Sequence, residues 1–454
     1  MRVTRIEPPT LPPSVAACLE GLVAAGGRCW VVGGAVRDLV QGVRPRDFDL
    51  ATDLEPRAVA AALEGVDLRA ERYGTSLVRC QDRELTVTTL RADEEYVDRR
   101  RPRGVRFVTE VAADALRRDF TVNALYLDPS SGCIEDPCGG MADLRQGVLR
   151  CIGDPATRFD EDALRMLRMV RFAASAGLEI EPAAAAAARG AALSLCELSA
   201  ERVYAELTDM FTGRGRGAAL RLLVTSGLAA SVLPEVVAMD GVAQPPEYHP
   251  EGDVLTHVIK VLEQVPGDDP VLAWSAVLHD TGKPDTYRVA EDRIRFDGHD
   301  TLSAKIADDV LERLRAPKAL REQVVDVCLQ HIRFAALPAM RPGRAERWMR
   351  SPGFDKHLAF HLADCMGSHQ KREIYDQVRA EFSALPPLKP PLLQGRDVLE
   401  LGVPRGPLVG ELIREVERMV DELPGAATRR EALDLLRDAV ARLGDADRDR
   451  RPPA

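Results

Sequence analysis

Long apolar runs are missing from this chain, and aromatic residues are scarce. No uncharged stretch approaches the roughly 18 residues a membrane-spanning helix needs, so no membrane partner is expected. Phe, Trp and Tyr make up 5% of the residues, against 45% hydrophobic and 29% charged, the balance of a soluble globular protein. The start, MRVTRIEPPTLPPS, lacks the apolar core of a signal peptide, which gives a cytoplasmic expectation. There is no CxxC pair among the nine cysteines, and their odd number fits reduced thiols. The one close pair, Cys133 and Cys138, reads as loop and turn residues, not as a zinc site. An excess of positive charge is also absent: the net charge is −10 and the pI near 5.5, which argues against a general nucleic-acid coat. Basic charge is instead concentrated locally, in Arg99, Arg100, Arg101, Arg103 and Arg106, and again in Arg117 and Arg118. At 454 residues the chain has room for about three domains.

The stretch VVGGAVRDLVQGVRPRDFDLAT, from Val31 to Thr52, organises the rest. A short apolar run ends in Gly33-Gly34, where the backbone can approach a bulky anion because no Cβ stands in the way. The AVRDLV that follows reads as a helix whose N-terminus would suit a phosphate. If Arg46–Leu50 is a strand, its period of two sets Asp47 and Asp49 on one side and Phe48 on the other. Two such carboxylates can share a pair of Mg2+ ions, one activating an attacking oxygen and one steadying the leaving group.

Together GGAVRD and PRDFDLAT resemble the nucleotidyltransferase signature of the DNA polymerase beta superfamily. More narrowly they are similar to the bacterial tRNA nucleotidyltransferase (CCA-adding) and poly(A) polymerase family. That resemblance implies an α/β head over 1–150 with a small mixed sheet, then all-α regions: a neck and body over 151–240, an HD-like unit over 241–385 and a tail over 386–454. It also implies a nucleotide site that includes Gly33, Gly34 and Arg37. Related enzymes carry a third metal-site glutamate before VTT, where this chain has Thr86. Glu84, two residues earlier and about 7 Å along the strand, is the substitute the sequence offers.

Further motifs follow in the family's order. Residues 91–107 read as a charged loop and resemble the flexible loop between the catalytic motifs, whose full length favours addition of the final A. RRDFTVNA resembles the second motif, which assigns Arg118 and Asp119 to the ribose and triphosphate and makes Asn123 a brace. FDEDALRMLRMVRFAA, read as one helix over Phe159–Ala174, contains EDALRMLR, similar to the base-reading motif EDxxRxxR. Asp162, Arg165 and Arg168 step along one face of it, with Arg171 one turn further on. Cytosine and adenine both present an amino donor beside a ring-nitrogen acceptor, whereas uracil and guanine present a carbonyl beside a ring N–H. A carboxylate beside a guanidinium matches the first pattern and mismatches the second. By resemblance, Asp162 and Arg165 therefore select CTP and ATP without a nucleic-acid template. Ser199-Ala200-Glu201-Arg202 reads as a capping segment and matches a fifth motif, whose glutamate and arginine brace the base-reading helix.

A second site is expected downstream. His257, His279-Asp280 with Gly282-Lys283-Pro284 after it, His299 and His331 resemble the HD metal-phosphohydrolase superfamily, with Asp364 completing the set. Imidazoles and carboxylates suit a divalent ion, Mg, Mn or Ni, that activates water. The proline-rich LPPLKPP reads as a stiff linker. The tail reads as two helices around a Gly-Pro turn, taking part in tRNA binding by resemblance, and residues 445–454 read as disordered.

The function expected is addition of CCA to tRNA 3′ ends from CTP and ATP. The alternatives are a poly(A) polymerase, an A-only enzyme, or an HD phosphohydrolase with a non-catalytic RNA-binding head. Oligomeric state is not readable from the sequence.

Overall fold

In the computed structural model, the structure describes residues 2–448 apart from 82, 94–103, 248, 292, 387–391, 422 and 424–427. Most of the charged loop and most of the proline-rich linker therefore lie outside the described residues.

The first third of the chain is a sheet of eight strands. β1 is Arg2–Arg5, β2 Cys29–Val32, β3 Asp49–Thr52, β4 Val66–Asp67, β5 Thr75–Cys80 and β6 Arg83–Thr89. A separate antiparallel pair is formed by β7, Arg91–Asp93, and β8, Val105–Phe107; β9, Tyr126–Asp128, and β10, Cys133–Asp136, return to the main sheet. The order is β1-β10-β9-β2-β3-β6-β5-β4, and every neighbouring pair is antiparallel except β3 and β6. Period-two alternation gives the sheet two apolar faces. Val31, Leu50, Val87 and Leu127 pack under the helices Pro13–Ala24 and Pro56–Ala62. Trp30, Val32, Ala51 and Tyr126 pack on the other side.

Beyond the sheet the chain is helical, as expected. One continuous apolar cluster runs from Phe120 through the 164–176 and 200–212 helices to Ala363, so the neck and the histidine-bearing helices share a core. The tail has its own cluster, from Leu393 to Ala439.

Four sequence expectations need correction. The 91–107 segment is not wholly loop, because its two ends pair as β7 and β8. Residues 2–5, to which the sequence assigned no regular element, add an edge strand to β10. The tail has three helices, Gly395–Glu400, Pro407–Asp421 and Arg429–Arg448. The last of these carries residues 445–448, read as disordered, as a continuation of its turns.

Candidate functional site

Gly33 joins β2 to the helix Gly34–Val40 and holds φ 69°, a left-handed backbone that only glycine adopts without strain. A Cβ there would also meet Arg118 NH1 at 3.8 Å. Strand β3 begins at Asp49, so Asp47 lies just before the strand and not within it. The alternation still holds: Asp47 and Asp49 are exposed, while Phe48 and Leu50 are buried. Both carboxylates line a cleft of about 800 Å³, together with Gly33, Gly34, Arg37, Arg118, Asp119, Asn123, Asp162, Arg165, Arg168 and Arg171. Ten arginines and six aspartates line it in all, a cationic excess suited to a polyphosphate.

Glu84 is not among the residues lining this cleft. The one parallel pairing of the sheet sets Asp49 in register with Thr86, and Thr86 and Thr88 line the cleft beside it. Glu84 is exposed and faces Arg79 across β5 and β6.

The RRDFTVNA segment forms a buried polar knot. Asp119 Oδ1 accepts from the Phe120 N–H at 2.9 Å and from Asn123 Nδ2 at 3.2 Å, while Oδ2 accepts from Arg168 Nε at 2.8 Å. Asn123 Oδ1 accepts in turn from Arg37 NH1 at 3.0 Å. Desolvation pushes Asp119 up, but Arg168 and the amide donors outweigh it and hold the carboxyl below its usual value. Asp49 behaves oppositely. Although the residue reaches solvent, the surrounding cleft walls desolvate its carboxyl and raise it, opposed by Arg118 and reinforced by Asp47.

Sequence reasoning missed Asp114, which is 1% exposed. It accepts from Arg117 Nε at 2.8 Å, from Arg118 Nε at 3.2 Å, from the Arg91 N–H at 3.1 Å and from the Tyr126 hydroxyl. Arg118 is thereby fixed at the cleft wall, its guanidinium 4.9 Å from the Tyr126 ring centroid. Phe172 was missed as well. Arg37, Arg168 and Arg171 all stand within 5.3 Å of its ring centroid, which gathers three cations on one side of the cleft.

The base-reading segment is not one helix. A first helix, Pro155–Glu161, stops at Asp162, whose φ −154° and ψ 104° are extended, and a second runs over Leu164–Ala176. Asp162 Oδ1 accepts from the Leu164 N–H at 3.1 Å, at the start of the second helix, and Oδ2 accepts from Arg202 NH2 at 2.7 Å. Arg165, 7% exposed, pairs with Glu161 and donates to the Arg158 carbonyl at 3.0 Å. Arg171 Nε donates to the buried Glu206 at 2.6 Å. Of the fifth motif, Arg202 reaches the base-reading segment, whereas Glu201 pairs with Arg315 at 2.7 Å on the surface.

The second constellation lies within the helical core. His257 sits on the helix Val254–Gln264, His279 caps Pro270–Leu278, His299 opens His299–Arg313, and His331 and Asp364 stand on later helices. Among the described residues three sets of ligand-type atoms converge: His257, His279 and Asp364; Asp280, His299 and His331; and His249, Glu251 and His257. His257 Nε2 is 3.1 Å from Asp364 Oδ1 and 3.3 Å from His279 Nε2. Nδ1–H groups of His279, His299 and His331 donate to the carbonyls of Ala276, Phe296 and Cys328, which leaves each Nε2 as the inward-facing lone pair. Asp280 is 1% exposed, and neither of its oxygens accepts a well-formed hydrogen bond, although Lys283 Nζ is 2.7 Å from Oδ2. A buried carboxylate short of partners and ringed by imidazole nitrogens fits a divalent cation.

His249 and Glu251 were also missed. Glu251 Oε1 lies 2.8 Å from His257 Nδ1 and 2.9 Å from His249 Nδ1, and the side chain is 1% exposed. Burial would lower His257, but Asp364 and Glu251 outweigh it and raise the imidazole to about 9.

Comparison with known proteins first gives the class. Residues 29–150 match the poly A polymerase head domain, 177–239 the probable RNA- and SrmB-binding site of polymerase A, and 253–352 the HD domain. The chain thus joins a region similar to the poly A polymerase head domain to one similar to the HD domain. Its relatives are more particular. A CCA-adding enzyme of Bacillus pumilus is 38% identical over 210 residues, 46% of this chain and 52% of the relative. One from Lacticaseibacillus paracasei is 40% identical over 212 residues, 47% of this chain and 53% of the relative. The chain therefore spans about half the length of the curated relatives it matches. The fold agrees along nearly the whole length: the Bacillus stearothermophilus CCA-adding enzyme in complex with CTP aligns at TM-score 0.66 and 24% identity, covering 96% of this chain and 100% of that one. No helix among the described residues is long and apolar enough to cross a membrane.

Proposed function

We propose that this protein adds CCA to tRNA 3′ ends from CTP and ATP, and that its HD site hydrolyses a phosphoester. The observation that carries the first part is the single cleft that gathers Asp47 and Asp49, the Asp119–Arg168 knot and the Asp162–Arg165 segment. Asp47 and Asp49 would hold Mg2+ ions, which supply activation of the attacking ribose oxygen and stabilisation of the leaving pyrophosphate. Arg37, Arg118, Arg168 and Arg171 face the same space and would neutralise the triphosphate. Asp162 would accept the amino group of cytosine or adenine, and Arg165 would donate to the ring nitrogen beside it. Arg202 steadies the Asp162 carboxylate, so the protein itself acts as the template.

For the HD site, His257, His279 and Asp364 would hold one divalent ion, and Asp280, His299 and His331 a second. Such ions supply a water activated for attack on phosphorus. Of the ions expected, Ni suits the imidazole donors, while Mn and Mg suit the carboxylates.

The deciding experiment is incubation of tRNA lacking its last three nucleotides with CTP, ATP or both, in Mg2+, followed by sequencing of the ends. CC with CTP alone and CCA with both are expected. A run of A from ATP alone on any RNA would instead make it a poly(A) polymerase, and a single A only on tRNA ending in CC an A-adding enzyme. No addition at all would sink the transferase reading.

A further inference from the structure

We infer that Arg214 is a positioning residue for nucleotide binding: reaching from the helical neck to Asp38 of the head, it holds Arg37 in place against the triphosphate. Arg214 lies in the turn between the helices Ala200–Thr212 and Arg216–Thr225, where the sequence reads Gly213-Arg214-Gly215-Arg216-Gly217. The middle of that turn requires glycine. Gly215 holds φ 67°, and a Cβ there would run into the Ala174 carbonyl, in the last turn of the helix that carries Arg165, Arg168 and Arg171. Next to it, Arg216 donates to the carbonyls of Glu263 and Val265. The turn is thus pinned to two neighbouring elements, and Arg214, partly exposed, leaves it at the wall of the nucleotide cleft.

What Arg214 meets there belongs to the head. Its NH2 stands 2.9 Å from Asp38 Oδ1, and the same oxygen accepts from Arg37 NH2 at 3.2 Å. One carboxylate therefore holds two guanidiniums that would otherwise repel each other, one from the helix Gly34–Val40 and one from the neck. A second tie joins the same two parts, from Gln41 Nε2 to the Ala176 carbonyl at 3.0 Å. Arg37 is 5% exposed and donates through NH1 to Asn123 and through NH2 to Asp38, while its Nε–H is buried without an acceptor. Burial disfavours its charge, Asp38 supports it, and Arg214 and Arg171 oppose it, so the group gains from an anion that brings acceptor and charge together. Without Arg214, the Asp38 carboxylate has lost its hold on the neck, and Arg37 is no longer set relative to Arg168 and Arg171. The inference rests on the reading of the cleft as a triphosphate site given above, and adds to it a residue that acts through Asp38.

The test measures, on the full-length protein in Mg2+, calorimetric affinities for CTP and for inorganic tripolyphosphate, beside the kinetics of addition. A positioned group displaced by about 1 Å costs up to about 100-fold. Arg214→Ala should weaken CTP and tripolyphosphate by one common factor of about 10- to 100-fold. It should raise KM for CTP and ATP more than it lowers kcat, and keep the wild-type ratio of CTP to UTP use, since the base-reading residues are untouched. Arg214→Lys keeps the charge and should recover most of the loss, which separates positioning from misfolding. Asp38→Asn should weaken tripolyphosphate as well, and the double variant with Arg214→Ala should lose no more than Asp38→Asn alone, because both act on Arg37 through one link. Losses that multiply in the double variant would overturn the inference, since Arg214 would then act on the phosphates independently of Asp38. So would wild-type tripolyphosphate affinity in Arg214→Ala. Tripolyphosphate binding needs neither tRNA nor turnover: a wild type that adds no nucleotides, yet loses this affinity in Arg214→Ala, would sink the transferase reading and leave the role of Arg214 standing.

Discussion

The carboxylate of Asp162 rests 2.7 Å from the guanidinium of Arg202, a residue 40 positions later on another helix. That link holds Asp162 at the break between two helices, with its oxygens at the cleft and not along a regular helical face. Base selection should depend on it. Asp162→Ala leaves the amino group of cytosine or adenine without its acceptor, and Arg165→Ala leaves the ring nitrogen without its donor. Each hydrogen bond to a charged group is worth about 1.5–3 kcal/mol, or roughly 10- to 150-fold in discrimination. Both variants should use UTP relatively better, not merely turn over more slowly. Arg202→Ala should relax selection by a smaller factor, because it frees the carboxylate without removing it. An unchanged ratio of CTP to UTP incorporation in all three would refute the protein-template reading.

Asp114 should make the head sensitive to acid. Desolvation raises its carboxyl, but Arg117 and Arg118 outweigh this and hold it below its ordinary value. A folded pKa below the unfolded one means the stabilisation is complete above the unfolded value of about 3.9 and is lost as pH falls through the folded one. Asp114→Asn should cost about 3 kcal/mol at pH 7, since it leaves two half-buried arginines without their anion. The difference in melting temperature between wild type and variant should shrink as the pH is lowered from 5 toward 3, which thermal melts at fixed ionic strength will read. A constant difference over that range would mean the charge of Asp114 is not what stabilises the head.

Glu251 should matter to the HD site although it is not one of the six residues proposed above to hold the two ions. Its Oε1 meets His257 Nδ1, which fixes the ring with Nε2 facing His279 and Asp364. Loss of such an orienting partner costs about 10- to 100-fold in metal affinity or activity. Glu251→Ala should weaken Mn2+ binding by that factor in calorimetry and leave CCA addition unchanged. Asp280→Ala should abolish phosphohydrolase activity, again sparing CCA addition. Equal loss of both activities in Asp280→Ala would mean that the two sites are not independent.

How much of this was legible depended on whether a residue's role is local. The glycine turn and the Asp47–Asp49 alternation are set by neighbours in sequence, and both were readable. His257, His279, His299 and His331 were readable too, because the His279-Asp280 dyad with Gly282-Lys283-Pro284 after it resembles the HD superfamily; His249 was not. Asp114, Glu251 and Phe172 were not, since their partners come from other elements and nothing nearby marks them. The helix break at Asp162 was hidden for the same reason: ALRMLR after it has good helical propensity, and the tie to Arg202 is tertiary. β1 was missed because RVTR offers little apolar alternation and gains its order from the exposed edge of β10. The ends of the charged loop pair by backbone hydrogen bonds, to which its side-chain charges gave no clue.

The third head carboxylate is where sequence and structure meet most directly. Thr86 stands in register with Asp49 on the one parallel strand pair of the eight-stranded sheet, the position from which a side chain reaches the same space. Glu84 is on the same face but two residues back, about 7 Å along the strand, exposed and opposite Arg79. A carboxylate at that distance cannot share an ion with Asp49 without a large shift of β6, which the buried Leu85 and Val87 on its other face oppose. Asp47→Ala and Asp49→Ala should therefore abolish nucleotide addition, with native circular dichroism, while Glu84→Gln should add CCA at close to the wild-type rate. Thr86→Glu places a third acid beside Asp49 and should lower the Mg2+ concentration needed for half-maximal rate. A loss of several orders of magnitude in Glu84→Gln, with the fold intact, would show that β6 slides on substrate binding and that Glu84 serves the site after all.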